Sequence, residues 1–412
     1  MKTVKRIFCI FYTLICMGCF GLVGTVAYYS AFLAGEYQTT ADTPLSVKTL
    51  IPVTAEYENQ IKDEPAVSLR AGTRQRVQLK MFGIIPIKTA DVQVIDERNV
   101  VVLGIPFGVK MYTDGVLVSE ITGVETSVGK VNPAREAGIC AGDYIVSVDG
   151  QKVESNEELA SIIASCGGKN LEVVFRRDGE CRSTVLRPVF CENDGSYRAG
   201  IWVKDSSAGL GTLTFYSPSC QVVCGLGHGI YDNESKKLVD FSGGEMVSAT
   251  VRSVKKGAIG APGELEGKLG YKTIGKLLIN CESGVYAAIG CEIDSQKTIP
   301  VALKQEVENG PATVIVTVDS GLPKTYSCQI RVKESNVKKS VQNLMITVTD
   351  EDLLEKTGGI VQGMSGSPIL QNGKLVGAVT HVLVDDPTTG YGIFAENMLK
   401  ISESAKENRL AS

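Results

Sequence analysis

Histidine is almost absent from this sequence. There are two in 412 residues, His228 and His381, so the choice of an imidazole base is confined to that pair. Basic runs are missing as well. The net charge is −4 with the signs interspersed, which leaves no polybasic footprint and excludes nucleic acid as an expected partner. No C-x-x-C pair occurs. Cys220, Cys224 and His228 recur at a spacing of four, but no fourth ligand stands out, so neither a metal nor any other cofactor is expected. There are no internal repeats and no low-complexity tracts. Aromatic residues make up only 6%, while glycine is abundant and β-branched residues come in short clusters. That balance favours short strands joined by tight turns.

One long apolar run is present. Lys2, Lys5 and Arg6 precede a stretch from Ile7 to Gly35 without a charged residue. As a helix it is long enough to cross a bilayer core of about 30 Å. The basic flank comes first, so the positive-inside rule puts the N-terminus in the cytoplasm and the bulk of the chain outside. The run exceeds a signal-peptide core and lacks a clear A-x-A site, which favours an uncleaved anchor. Nine cysteines lie outside it, an odd number that cannot all pair within one chain.

Four regions follow. Residues 1–35 are the cytoplasmic flank and transmembrane anchor. Residues 36–99 are a polar tether with a short β segment, two strands between Val77 and Val94 around Gly83 and Pro86. Residues 100–190 form a compact α+β module. Within it, Asn132 to Gly138 predicts a short helix, and Ala141-Gly142-Asp143 leads into a strand that ends at Asp149-Gly150. Ser155 and Glu158 have capping-box spacing, and Leu159, Ile162, Ile163 and Cys166 share one apolar face. Residues 191–412 read as a run of short strands: Gly211–Tyr216, Val247–Val251, Lys276–Leu278, Ala312–Val318, Tyr326–Val332 and Leu344–Val348. Such a density fits a sandwich or barrel. A short helix closes the chain at Asn397–Ser404.

The chemistry concentrates at Gly363-Met364-Ser365-Gly366-Ser367-Pro368. A serine between glycines on a tight turn, leading into an apolar strand, suits the nucleophile of a trypsin-like peptidase. The amides of Gly363 and Ser365 could converge on the oxyanion of an acyl-transfer transition state. Ser365 needs a base. His228, in Gly227-His228-Gly229, sits among small residues and precedes the serine, the order of trypsin-like barrels; His381 follows it and is the weaker choice. The acid that orients the imidazole is open among Asp232, Asp240, Asp294, Asp350 and Asp352.

Two resemblances sharpen this reading. The string Ala141 to Gly150 resembles a PDZ domain, which binds peptides as an added strand. Ile105-Pro106-Phe107-Gly108 occupies the place of that family's carboxylate-binding loop, though it departs from the usual Gly-Leu-Gly-Phe. Lys356 to Ile369, Gly227-His228-Gly229-Ile230 and Gly377 to Val382 are very similar to the stage IV sporulation protein B peptidases. That resemblance implies a mainly β architecture: an N-terminal transmembrane helix, a PDZ-like α+β domain and a chymotrypsin-like double β-barrel peptidase. It implies catalytic residues Ser365, His228 and Asp350, with Asp352 nearby as an ambiguity. It further implies a self-cleaving serine endopeptidase of endospore formation, acting between the two membranes around the forespore and partly released by its own cut. Its protein substrate would be a membrane-bound regulator of an intramembrane metalloprotease, whose cleavage leads to mother-cell sigma factor activation. The competing expectation is a secreted, non-catalytic PDZ scaffold that binds a peptide ligand.

Overall fold

Alternating burial sets most of the architecture. The structure, a computed structural model, describes residues 2–41, 45, 47, 49–58, 70–153, 155–232, 236–290, 293, 297–333 and 341–411. Two compact units divide the chain.

In the first unit the helix Lys2–Phe32 leads directly into the strand Glu36–Thr40. That strand pairs in parallel with Ile85–Ile95, which pairs with Arg74–Met81, which pairs with Val53–Tyr57. The tether expected after the anchor is therefore in part a folded sheet. Its core takes in Tyr29 of the helix and Leu33 just after it, together with Val77, Leu79, Met81, Val92 and Val94. Burying those side chains requires the chain to turn back at once, which a flexible linker would not do. The two strands expected around Gly83 and Pro86 are present as Arg74–Met81 and Ile85–Ile95.

The second unit holds the rest of the β structure. Six strands pair in the order Pro106–Ile121, Gly243–Lys255, Glu264–Cys281, Gly284–Ile289, Val222–Gly225 and Ile201–Ser217. The last pairs again with the first, so the sheet closes on itself. A second set closes into a barrel: Gly310–Val316, Lys324–Val332, Leu344–Val348, Asp386–Phe394, Lys374–Leu383 and Pro368–Gln371. Closure removes the exposed edges that a two-sided sheet would present. The closing helix runs longer than expected, over Ala395–Ala411.

The PDZ module rises from two strands of the first barrel. Pro106–Ile121 pairs along its first half with Gly243–Lys255, and near its end Val116 pairs with Ile145 of the module. Ile201–Ser217 returns beside it. Between them lie the strands Tyr144–Val148, Leu171–Arg177 and Glu180–Leu186 and the helix Asn156–Ser165. The helix starts as expected: Ser155 Oγ accepts from the Glu158 amide at 3.2 Å, and Leu159 and Ile163 face inward. Asp143 of the Ala-Gly-Asp string is buried. Its carboxylate takes two bonds of 2.6 Å from Arg177 and one of 2.7 Å from the Cys140 amide. A buried carboxylate so satisfied fixes the turn into the strand.

Candidate active site

Ser365 sits on the loop entering the strand Pro368–Gln371 of the second barrel. Positive φ angles at Gly363 (93°) and Gly366 (95°) make the elbow. A Cβ at Gly366 would stand 1.9 Å from the Thr212 carbonyl oxygen, so only glycine fits there. The first barrel fastens this loop. The Thr212 amide donates to the Ser365 carbonyl at 2.9 Å, Thr212 Oγ1 to the Gly363 carbonyl at 2.8 Å and Thr214 Oγ1 to the Gly366 carbonyl at 2.7 Å. Both threonines are buried polar residues, and these bonds are why burial is tolerated. Within the elbow, the amides of Met364, Gly366 and Ser367 donate to backbone carbonyls. Those of Gly363 and Ser365 do not join that network, the condition an oxyanion hole requires.

His228 follows the strand Val222–Gly225 of the first barrel. Leu226 and Gly227 both take left-handed φ angles, 67° and 66°, and swing the imidazole toward the second barrel. A Cβ at Gly227 would lie 3.1 Å from Thr380 Cγ2 and 3.2 Å from Ile393 Cγ2, so the missing side chain lets the barrels meet closely. His228, Ser365, His381, Gly229 and Gly363 line one cavity of about 480 Å³. The rings of His228 and His381 have centroids 4.8 Å apart.

His228 Nδ1 lies 2.8 Å from the Gly229 carbonyl oxygen. A carbonyl only accepts, so Nδ1 carries the hydrogen and Nε2 keeps its lone pair, the tautomer a base needs. Burial pushes the imidazole below its ordinary pKa, and the bond to Gly229 works the other way. Neither influence is a carboxylate. Ser365 Oγ donates to the Thr380 carbonyl at 2.7 Å, so the hydroxyl turns to the strand before His381 and not to His228.

The structure brings Ser365, His228, Gly363 and also His381 together. It does not bring in Asp350. That carboxylate caps the helix Glu351–Thr357, accepting from Leu353 N at 3.2 Å and Ser327 N at 3.1 Å. Asp352 pairs with Lys356 one turn on, at 2.5 Å. Asp240 faces Arg176 at 3.4 Å, and the backbone of Asp232 closes a turn with Lys236 and Lys237. None of these four lines the cavity. Asp294 lies outside the described residues. Cys220 and Cys224 are buried, and among the described residues no three His, Cys, Asp or Glu side chains group to hold a metal ion.

The expected PDZ loop needs correcting. Pro106, Phe107 and Gly108 begin a barrel strand, with Ile105 just before it. Phe107 is wholly buried with Val109, Met111, Leu213 and Val223, because the alternation 107, 109, 111 points into the barrel. The groove beside the PDZ helix is elsewhere. Leu159, Ala160 and Ile163 form one wall and Ile201, Trp202 and Val203 the other, around about 600 Å³. Gly200 turns the chain into that second wall with φ 71°, and a Cβ there would meet the Thr122 carbonyl oxygen at 2.1 Å. The order Ala199-Gly200-Ile201 was the signal, small residue, glycine and apolar residue at a strand start. It lies 34 residues after the end of the helix, not before it, and so escapes a reading in chain order.

Residues 195–399 match the family model SpoIVB peptidase S55, and residues 126–177 match a PDZ domain model. The chain therefore carries a region similar to the S55 peptidases and, before it, a PDZ domain. Among curated proteins, a Bartonella henselae protein named as a zinc metalloprotease is 35% identical over 91 residues, 21% of this chain and 25% of its own length. A Neisseria meningitidis protein of the same description is 31% identical over 74 residues, 18% of this chain and 17% of its own. The chain thus spans a quarter or less of these relatives. Among solved structures, the active form of the Rv3671c protease of M. tuberculosis aligns at 15% identity and TM-score 0.29, over 47% of this chain and 72% of that one. The PDZ domain of an SdrC-like protein of Listeria monocytogenes aligns at 24% identity and TM-score 0.19, over 22% of this chain and 90% of that one.

Proposed function

We propose that the protein is a membrane-anchored serine endopeptidase. Ser365 Oγ attacks the peptide carbonyl while His228 Nε2 takes its proton, and the amides of Gly363 and Ser365 bond the oxyanion. The proton then passes to the leaving amine, and water releases the acyl group by the same path reversed. For attack, Ser365 rotates about χ1 from the Thr380 carbonyl toward His228; catalytic hydrogen bonds often tighten only when substrate binds. The Gly229 carbonyl takes the orienting part on Nδ1. Asp350 acts at a distance, by capping the helix that leads to the Ser365 loop.

The shared cavity of His228 and Ser365, beside two unbonded amides, carries this reading. The sequence resemblance extends it: a signalling cut, during endospore formation, in a membrane-bound regulator of an intramembrane metalloprotease. The bulk of the chain would lie between the two membranes around the forespore, with partial release by self-cleavage in residues 36–99. The PDZ groove would take an extended peptide of substrate or of a second copy.

The test is expression of the full chain as wild type and as Ser365→Ala, followed on gels and with a fluorophosphonate probe. Wild type should label and fragment; the variant should do neither, with a loss of about six orders of magnitude in turnover. Equal fragmentation of both rules out this nucleophile. A second reading, a non-catalytic PDZ scaffold, draws on the Ser365 bond to Thr380 and expects no labelling of the wild type.

A further inference from the structure

The helix Lys2–Phe32 and the sheet of the first unit share a core, and that core fixes which edge of the sheet lies nearest the helix's apolar span. Gly35 accepts from the Asp91 amide at 2.9 Å, and the Leu33 carbonyl from Lys88 Nζ at 2.8 Å. Farther back on the helix, Tyr29 is buried in one cluster with Ile87, and Val26 and Ile85 pack against that cluster. Stepping back along the chain from 35 to 33, toward the helix, therefore means stepping back along the strand from 91 to 88, in the direction of Ile85. The following strand, Glu36–Thr40, runs the opposite way, toward Ile95.

Beyond Ile85 comes the turn Phe82-Gly83-Ile84. Phe82 is 57% exposed and Ile84 79%. Leu50, 97% exposed, lies two residues before Pro52, whose carbonyl accepts from the Phe82 amide. No charge occurs from Met81 to Ile87, and Lys80 and Lys88 flank that stretch. Phe82 has φ 52° and Gly83 φ 72°. A two-residue turn of this kind favours Asn-Gly or Asp-Gly, and an aromatic side chain in left-handed backbone costs about 1 kcal/mol. Here that cost is borne by a side chain that joins no core.

The helix gives this tip its depth. Its exposed apolar side chains run from Ile10 through Phe20 to Val23 and recur at Tyr28 and Phe32, and its last basic flank residue is Arg6. A bilayer core of about 30 Å takes about 20 helical residues, which sets the outer boundary near Val26. Val26 and Ile85 both pack against the core that the helix and the sheet share.

We propose that Leu50, Phe82 and Ile84 insert into the outer face of the same bilayer that the helix spans. The first unit is then a collar seated in the lipid at the foot of the anchor, while Lys80 and Lys88 just outside the apolar stretch stay engaged with Glu56 and the Leu33 carbonyl. The proposal rests on the reading of the helix as an uncleaved membrane anchor.

The experiment uses the full chain reconstituted into phosphatidylcholine–phosphatidylglycerol vesicles. In a Trp202→Phe background, Phe82→Trp supplies a single indole. Its emission is read against lipids brominated near the headgroup or near the acyl-chain end, and flotation of the same samples reports the anchor. The expected result is flotation, a blue-shifted emission, and loss of most of that emission to the shallow bromines with less to the deep ones. Ile84→Trp should behave alike and serves if Phe82→Trp folds poorly. Chain that fails to float overturns the anchor and the collar together. Chain that floats with an unquenched, red emission overturns the collar alone. Floating chain with a blue-shifted but unquenched indole also overturns it, and points to a second copy covering the tip.

Discussion

The amide of Thr212, on a strand of the first barrel, donates to the carbonyl of Ser365, on the elbow of the second, at 2.9 Å. The nucleophile is therefore positioned by the barrel that does not contain it. The strand that carries Thr212 also forms a wall of the PDZ groove at Ile201–Val203.

Thr212→Val keeps the amide bond but loses the hydroxyl that Gly363 accepts from. The Gly363 carbonyl is left short of a donor, at a cost of about 1–2 kcal/mol. Thermal unfolding should fall accordingly. Turnover should drop about tenfold or more, because Gly363 also carries an oxyanion amide, while KM for a small ester should change little.

Burial depresses the pKa of His228 below its ordinary 6.5. The neutral base thus persists to lower pH than in a free imidazole, and the acid limb of kcat/KM should fall below pH 6.5. The stability consequence follows the protons. Above 6.5 neither folded nor unfolded His228 is charged, and there is no effect. Below 6.5 the unfolded imidazole takes a proton that the folded one resists, so stability drops as pH falls toward the folded value. Comparing wild type with His228→Asn by denaturant titration across pH 4 to 8 measures this; the drop should shrink in the variant.

Asp350 separates two roles by chemistry. As a helix cap it is replaceable by serine, which also caps, whereas alanine loses about 1 kcal/mol. Asp350→Ser should retain much more peptidase activity than Asp350→Ala. Equal inactivation of both, with stability unchanged, assigns the carboxylate to the imidazole directly.

Trp202, 62% exposed on the groove wall, should anchor a bound peptide. Trp202→Ala should weaken peptide binding by about tenfold or more, read by titration calorimetry, and leave hydrolysis of a small ester intact. Gly200→Ala should do the same through the clash of its Cβ with the Thr122 carbonyl.

The sequence alone determined what depends on near neighbours. The helix 156–165 and its cap were legible because capping and apolar periodicity act within four residues. The elbow at Ser365 was legible because its glycines mark backbone that other residues rarely adopt, and the strands from Gly211 to Val348 because alternation repeats every two residues. Tertiary structure decided everything that depends on which strands meet. It drew Phe107 into a barrel and moved the peptide groove to Ala199–Val203. It left Asp350 capping a helix, and it turned the expected tether into a sheet around Tyr29 and Leu33. Except for the cap at Asp350, which reaches only three residues on, those outcomes rest on pairings between residues tens to hundreds of positions apart, for which no local pattern exists in the chain.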